Sequence, residues 1–195
     1  AWRRWAVLGL EKVPLLVLAL AVGFLTILAQ GDAMSVSAPV PLSLRVANAI
    51  DAYASYLRMT LVPTGLSVFY PFPAAISPWR VAVSLSGLIL ATVAALAALR
   101  RAPYLAVGWL WFLGLLVPVL GLVKVGDQAM ADRYTYLPSI GLAIAASWGW
   151  EALTGGRLRR ASVALATAIL VLLALLTTQQ IRVWRDSVTL FEHAL

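Results

Sequence analysis

The chain has 195 residues, 62% of them hydrophobic and only 12% charged, where a soluble domain carries roughly 25% charged residues. That deficit excludes an ordinary soluble globule and predicts an integral membrane chain. The net charge of +7 comes from short scattered clusters with no basic helix, a pattern that fits anionic headgroups and the positive-inside rule and excludes nucleic acid as a partner. No cysteine is present, so disulfide and thiolate chemistry are excluded too.

The opening "AWRRWAVLGLEK" leads into a charge-free run, Val13–Ala29, without a cleavage site of the signal-peptide kind. A start without methionine and a helical pattern at "FEHAL" give the expectation that the sequence is a stretch of a longer protein. Next, Leu42–Val62 places Arg45, Asn48, Asp51, Ser55 and Arg58 at helical spacing, with Leu, Val, Ile and Tyr on the other face. This predicts an amphipathic helix lying on the outer surface or tucked between spans. Its stripe is either a solvated face or the lining of a headgroup or ligand groove, with Tyr70 nearby. Four prolines in Pro63–Pro78, among aromatics, predict a rigid irregular loop that caps the spans or walls an acceptor or sugar site.

Val81–Leu99 and Tyr104–Val123 are the second and third charge-free runs. In the second, Gly87, Ala91 and Ala95 share one face and form a candidate close-packing seam. Leu137–Trp150, extended by its preceding tyrosines to 134–150, and Ala161–Thr178 complete the set. A spanning helix needs about 20 apolar residues, and backbone in hydrocarbon must bond within its own segment. The expected fold is therefore an all-α polytopic bundle with five spans, near 13–29, 81–99, 104–123, 134–150 and 161–178.

Charge density assigns the sides. Segments 1–12, 100–103 and 151–160 hold eight Lys/Arg in 26 residues, and the other three connecting segments hold seven in 81. The first set is expected on the cytoplasmic side, so the 30–80 loop, "VGDQAMADRYTYLP" and the C-terminus face outward.

That outward stretch is the densest polar cluster. Arg133 offers a planar, permanently charged fork suited to phosphate. With a helix beginning near Ala129, Asp132 and Tyr136 stack at i, i+4. The alternative is that Arg133 snorkels and pairs with Asp132 while Tyr134 and Tyr136 act as belt residues. A single histidine, His193, leaves no histidine metal site or triad, and no phosphate loop or dinucleotide fingerprint occurs. The residues imply no cofactor in this stretch and leave a divalent metal of the whole protein open.

Four segments, "EKVPLLVLALAVGFLTILAQ", "RVANAIDAYASYLRMTLVPTGLSVFYPFP", "GLVKVGDQAMADRYTYLPSIGLAIAASWG" and "QIRVWRDSVTLFEHAL", occur in that order. Together they resemble the membrane region of bacterial TPR-containing proteins related to the transmembrane-and-TPR O-mannosyltransferase family, glycosyltransferases of GT-C type. The most specific piece is Met130–Pro138, "MADRYTYLP". The resemblance implies a polytopic enzyme of the bacterial inner membrane. It would transfer sugar from a polyprenyl-phosphate donor to a protein acceptor on the extracytoplasmic face, where a TPR array follows. Residues 1–178 then resemble the C-terminal half of the membrane domain, and 179–195 the lead-in to that array.

In such enzymes the catalytic acid lies in an upstream outer loop. No catalytic residue is therefore expected here, and this stretch alone is expected to be inactive. Arg133 is expected to bind the lipid phosphate with Lys124 assisting, Asp132 to orient Arg133, and Tyr134 and Tyr136 to donate hydrogen bonds. The groove candidates are Arg45, Asn48, Asp51, Arg58 and Tyr70. The alternative is a non-catalytic anchor for an extracytoplasmic TPR scaffold.

Overall fold

The computed structural model describes residues 2–29, 40–122, 128–154, 159–186 and 189–190. The chain divides into two compact units, Ala1–Pro39 and Val40–Leu195. The first is one helix, α1 (Trp2–Ala29), which runs through Pro14. From Leu10 onward its described large apolar side chains are exposed. The expected run 13–29 lies wholly inside it.

The second unit holds α2 (Leu42–Leu61), α3 (Pro78–Ala97), α4 (Pro103–Leu116), α5 (Tyr136–Thr154) and α6 (Arg159–Val183). Proline sets several starts. Pro78 and Pro103 occupy first-turn positions, where a missing N–H costs nothing and the fixed φ is already helical. Proline also shortens α4 relative to the expected run 104–123. Pro118 cannot donate to the carbonyl four residues back, so the α-helix ends at Leu116 and continues only as a 3-10 turn, Val117–Val119.

The core centres on α2, so of the two placements expected for this amphipathic helix the tucked one matches its burial and the surface-lying one does not. Asn48, Ala49, Ala52, Tyr56 and Met59 are buried along it. They face Trp109, Phe112 and Leu116 of α4, spaced i, i+3, i+7. Phe112 meets Trp109 at 5.7 Å and Tyr53 at 6.5 Å between ring centroids. The polar edges of these aromatics are satisfied: Tyr53 Oη donates to the Leu113 carbonyl at 2.7 Å, and Trp109 Nε1 to Thr92 Oγ1 at 2.9 Å.

Helices α4 and α5 pack most closely at Gly108 and Gly141, where each glycine's backbone occupies the space a Cβ on the other would need. Of the expected seam on α3, Ala95 is buried and Ala91 packs against the core. Gly87 faces open space.

The fold is all-α apart from one small ribbon that the sequence reading did not anticipate. Tyr70–Pro71 (β1) pairs antiparallel with Gln128–Met130 (β2), Tyr70 opposite Met130 and Pro71 opposite Gln128.

Two helices, Pro78–Ala97 and Arg160–Val183, are long and apolar enough to cross a membrane. At 1.5 Å per residue the shorter spans about 30 Å, the thickness of a hydrocarbon core. A soluble protein's core helix would be mostly buried, whereas 6% of the first and none of the second is. Helices also form at the other three expected runs. Among these α4 is short, and α5 carries Trp148, Trp150 and Glu151 in its last turns.

Candidate functional site

The ribbon brings the Pro63–Pro78 loop against the "ADRYTYLP" turn. Gly65, at φ +67°, lets the loop reverse, and Ser67 and Tyr70 then face Asp132. Tyr70 Oη donates to Asp132 Oδ1 at 2.9 Å. The Ser67 backbone N–H is shared between Asp132 Oδ2 at 3.1 Å and Tyr70 Oη at 2.9 Å. Beneath them, fully buried Tyr56 of α2 accepts the Ala131 N–H at 3.0 Å and donates to the Ala131 carbonyl at 3.4 Å. One tyrosine hydroxyl thereby satisfies both polar groups of a buried backbone unit.

Burial dominates the electrostatics. It pushes the Asp132 carboxyl above the usual carboxylate range, partly offset by the hydrogen bonds from Tyr70 and Ser67. Burial also raises the Tyr70 phenol, helped by the Asp132 carboxylate it bonds, and pushes Tyr56 up to about 12. Both tyrosines stay protonated and remain donors at neutral pH.

The turn itself, Asp132–Thr135, is 3-10, and α5 begins at Tyr136 rather than near Ala129. Asp132 and Tyr136 nonetheless line a common cavity of about 480 Å³. Its polar wall is Asp132, Thr135, Tyr136 and Ser139, and its apolar side includes Leu66, Leu173 and Trp184. Gln180 of α6 holds the loop in place by donating to the Leu66 carbonyl at 3.1 Å. With Thr60, Thr177 and Gln180 among its remaining residues, the lining is mixed, and a mixed lining suits a ligand with both polar and apolar parts.

The expected residues distribute as follows. Tyr136 is 75% exposed at the cavity. Arg133 is exposed on the same turn, and its guanidinium carbon lies 5.2 Å from the Tyr134 ring centroid. The Tyr134 hydroxyl accepts from Gln128 Nε2 at 3.1 Å. Asp132 engages the Ser67–Tyr70 loop, so the contact through which it was expected to orient Arg133 is replaced by one to Tyr70. Lys124 lies outside the described residues.

The Leu42–Val62 stripe divides among different partners. Arg45 Nη1 donates to the Leu122 carbonyl at 2.7 Å, while its buried Nε has no partner. Buried Asn48 reaches the Ala129 carbonyl at 3.4 Å. Asp51 pairs with Arg80 at 2.8 Å and accepts from Ser84 at 3.4 Å. Arg58 is exposed. Only Tyr70 of this group joins Asp132.

Sequence reasoning missed Tyr56, Ser67, Thr135, Ser139 and Gln180. The available signal was the polar end of an apolar run, "TTQQ" at 177–180; Tyr56 and Ser67 carry no motif. Among the described residues no three His, Asp or Glu gather as metal ligands. No protein-family model matches the chain, and neither a search of curated proteins nor one of solved structures finds a match.

Proposed function

We propose that this chain is the membrane module of a glycosyltransferase that takes sugar from a polyprenyl-phosphate donor and O-glycosylates protein, in the manner of O-mannosyltransferases, on the extracytoplasmic face. In this reading the apolar helices α1, α3, α4, α5 and α6 each cross the bilayer, and the TPR array continues from the C-terminus. The observation that carries the proposal is the cavity beside the "ADRYTYLP" turn, whose mixed lining matches a lipid-linked sugar.

Arg133, one residue from the cavity wall, supplies a permanent cation for the donor phosphate. A fixed charge held beside the cavity stabilises a phosphate leaving group electrostatically. Tyr136 and Ser139 offer neutral hydrogen bonds to the head of the donor. Asp132 acts at one remove, fixing the Tyr70 loop that closes one side. The catalytic acid belongs to another part of the protein.

A second reading, a non-catalytic anchor for a TPR scaffold, draws support from the same carboxylate. Both Asp132 oxygens bond within the protein, as a purely structural group would. In the full-length protein, Arg133→Ala is expected to abolish sugar transfer while membrane insertion, read by protease protection, stays intact. Transfer at the wild-type rate removes Arg133 from the mechanism, whereas no transfer by the wild-type protein favours the anchor.

A further inference from the structure

A second cavity, about 400 Å³, opens between α2 and α3, within the roughly 300–1,000 Å³ range of small-ligand pockets. Leu57 and Leu61 of α2 and Val83, Gly87 and Leu88 of α3 make it apolar, and Arg58 is the one charged residue on its wall. One of its two walls is a helix with the length and composition to cross a membrane, 6% of whose apolar window is buried.

The charge at its mouth is uncompensated. Asp51 lies two turns back on the same helix, but both its oxygens are engaged, by Arg80 at 2.8 Å and Ser84 at 3.4 Å. The Arg58 side chain has no hydrogen-bond or ion-pair partner among the described residues. A trough lined by leucine and valine, headed by a free guanidinium, is complementary to a hydrocarbon chain ending in a phosphate.

We infer that the α2–α3 groove is a binding site for an anionic glycerophospholipid, with one acyl chain lying along Gly87 and the phosphate on Arg58. Gly87 is the floor. A Cβ built there meets nothing within 4 Å, so no neighbouring side chain occupies the space beside it. The same fact provides a clean probe. Gly87→Leu adds a bulky apolar side chain to the groove wall from a Cβ position that is clear of neighbours, and leucine is a better helix former than glycine. The site is independent of the donor site at Asp132, and either can fail without the other.

The test is lipid retention by native mass spectrometry of the chain purified from bilayers of equal phosphatidylglycerol and phosphatidylcholine. Wild type is expected to retain the anionic lipid about five-fold over the zwitterionic one, the factor one basic residue gives at an anionic surface. Arg58→Gln is expected to abolish the preference while still retaining lipid. Gly87→Leu is expected to lose retention of both, with helix content by circular dichroism unchanged. Equal retention of the two lipids by wild type, a preference that survives Arg58→Gln, or retention unaffected by Gly87→Leu would each overturn the assignment.

Discussion

The α4–α5 crossing yields the sharpest test of the packing. A Cβ at Gly108 would sit 2.9 Å from Ala145 Cβ and still closer to the Gly141 carbonyl. Carbon atoms prefer 3.5–4.0 Å, so Gly108→Ala forces the helices apart by roughly 0.6 Å at Ala145 alone, and by more at a carbonyl that belongs to rigid helix backbone. Overpacking of this kind costs about 1–3 kcal/mol, and contact with backbone, which cannot swing away, belongs at the upper end. Alanine returns up to about 1 kcal/mol of helix propensity, leaving a net loss of about 2 kcal/mol.

The control is Gly87→Ala, in a helix of the same unit where the new methyl meets nothing within 4 Å. It should be neutral or slightly stabilising. Unfolding in mixed micelles by SDS titration, followed by circular dichroism, measures both. If Gly108→Ala matches Gly87→Ala within about 0.5 kcal/mol, the margin at which surface substitutions lie, the close crossing is refuted.

Two further outcomes follow from the site. Tyr56→Phe removes the hydroxyl that both accepts from and donates to Ala131 and leaves a buried N–H unpaired. A loss of about 1–3 kcal/mol is expected in the same titration, and a change within error would deny the hydroxyl its role. For Asp132 the folded-state carboxyl is raised above its unfolded value, so the native state binds the proton more tightly. The stability this contributes is complete at low pH and is lost as pH rises through the raised value, from about pH 4 upward. Asp132→Asn should flatten that portion of the pH profile. An unchanged slope would mean another group titrates there.

How much of this was readable from the sequence depended on how local the cause was. Charge-free runs located the apolar helices, because lipid-facing and core-facing surfaces alike demand apolar residues over helical lengths. The early end of α4 was also local, since Pro118 sits in the run, but hydropathy counts proline weakly and conceals the break. The spacing Gly87–Ala91–Ala95 fitted a packing seam, yet the tightest contact formed at Gly108 and Gly141, far apart in the chain. Small residues permit close approach, and only the partner helix decides where it happens. The Arg45–Arg58 stripe read as one polar face, but Arg45, Asn48 and Asp51 each found a different partner and the Arg58 side chain stayed exposed. Periodicity reports that residues share a face, and says nothing of the loop or helix that covers it.

The "MADRYTYLP" turn shows why the distinction matters. From sequence it reads as headgroup-level polarity, its geometry left to lipid and water. In the fold its first residues are buried, with Met130 paired to Tyr70 in the ribbon and Ala131 clamped by Tyr56 from the core helix α2. Asp132 is then fixed by the proline-rich loop, and only from Arg133 onward does the turn emerge. The positions of the exposed groups Arg133 and Tyr136 are therefore inherited from buried contacts on two other segments. A preorganised cation needs such support, because a guanidinium free to roam would spend in ordering what it gains from phosphate. The residues that control the site's geometry thus lie in α2 and the 63–71 loop, where nothing in the local sequence marks them as functional.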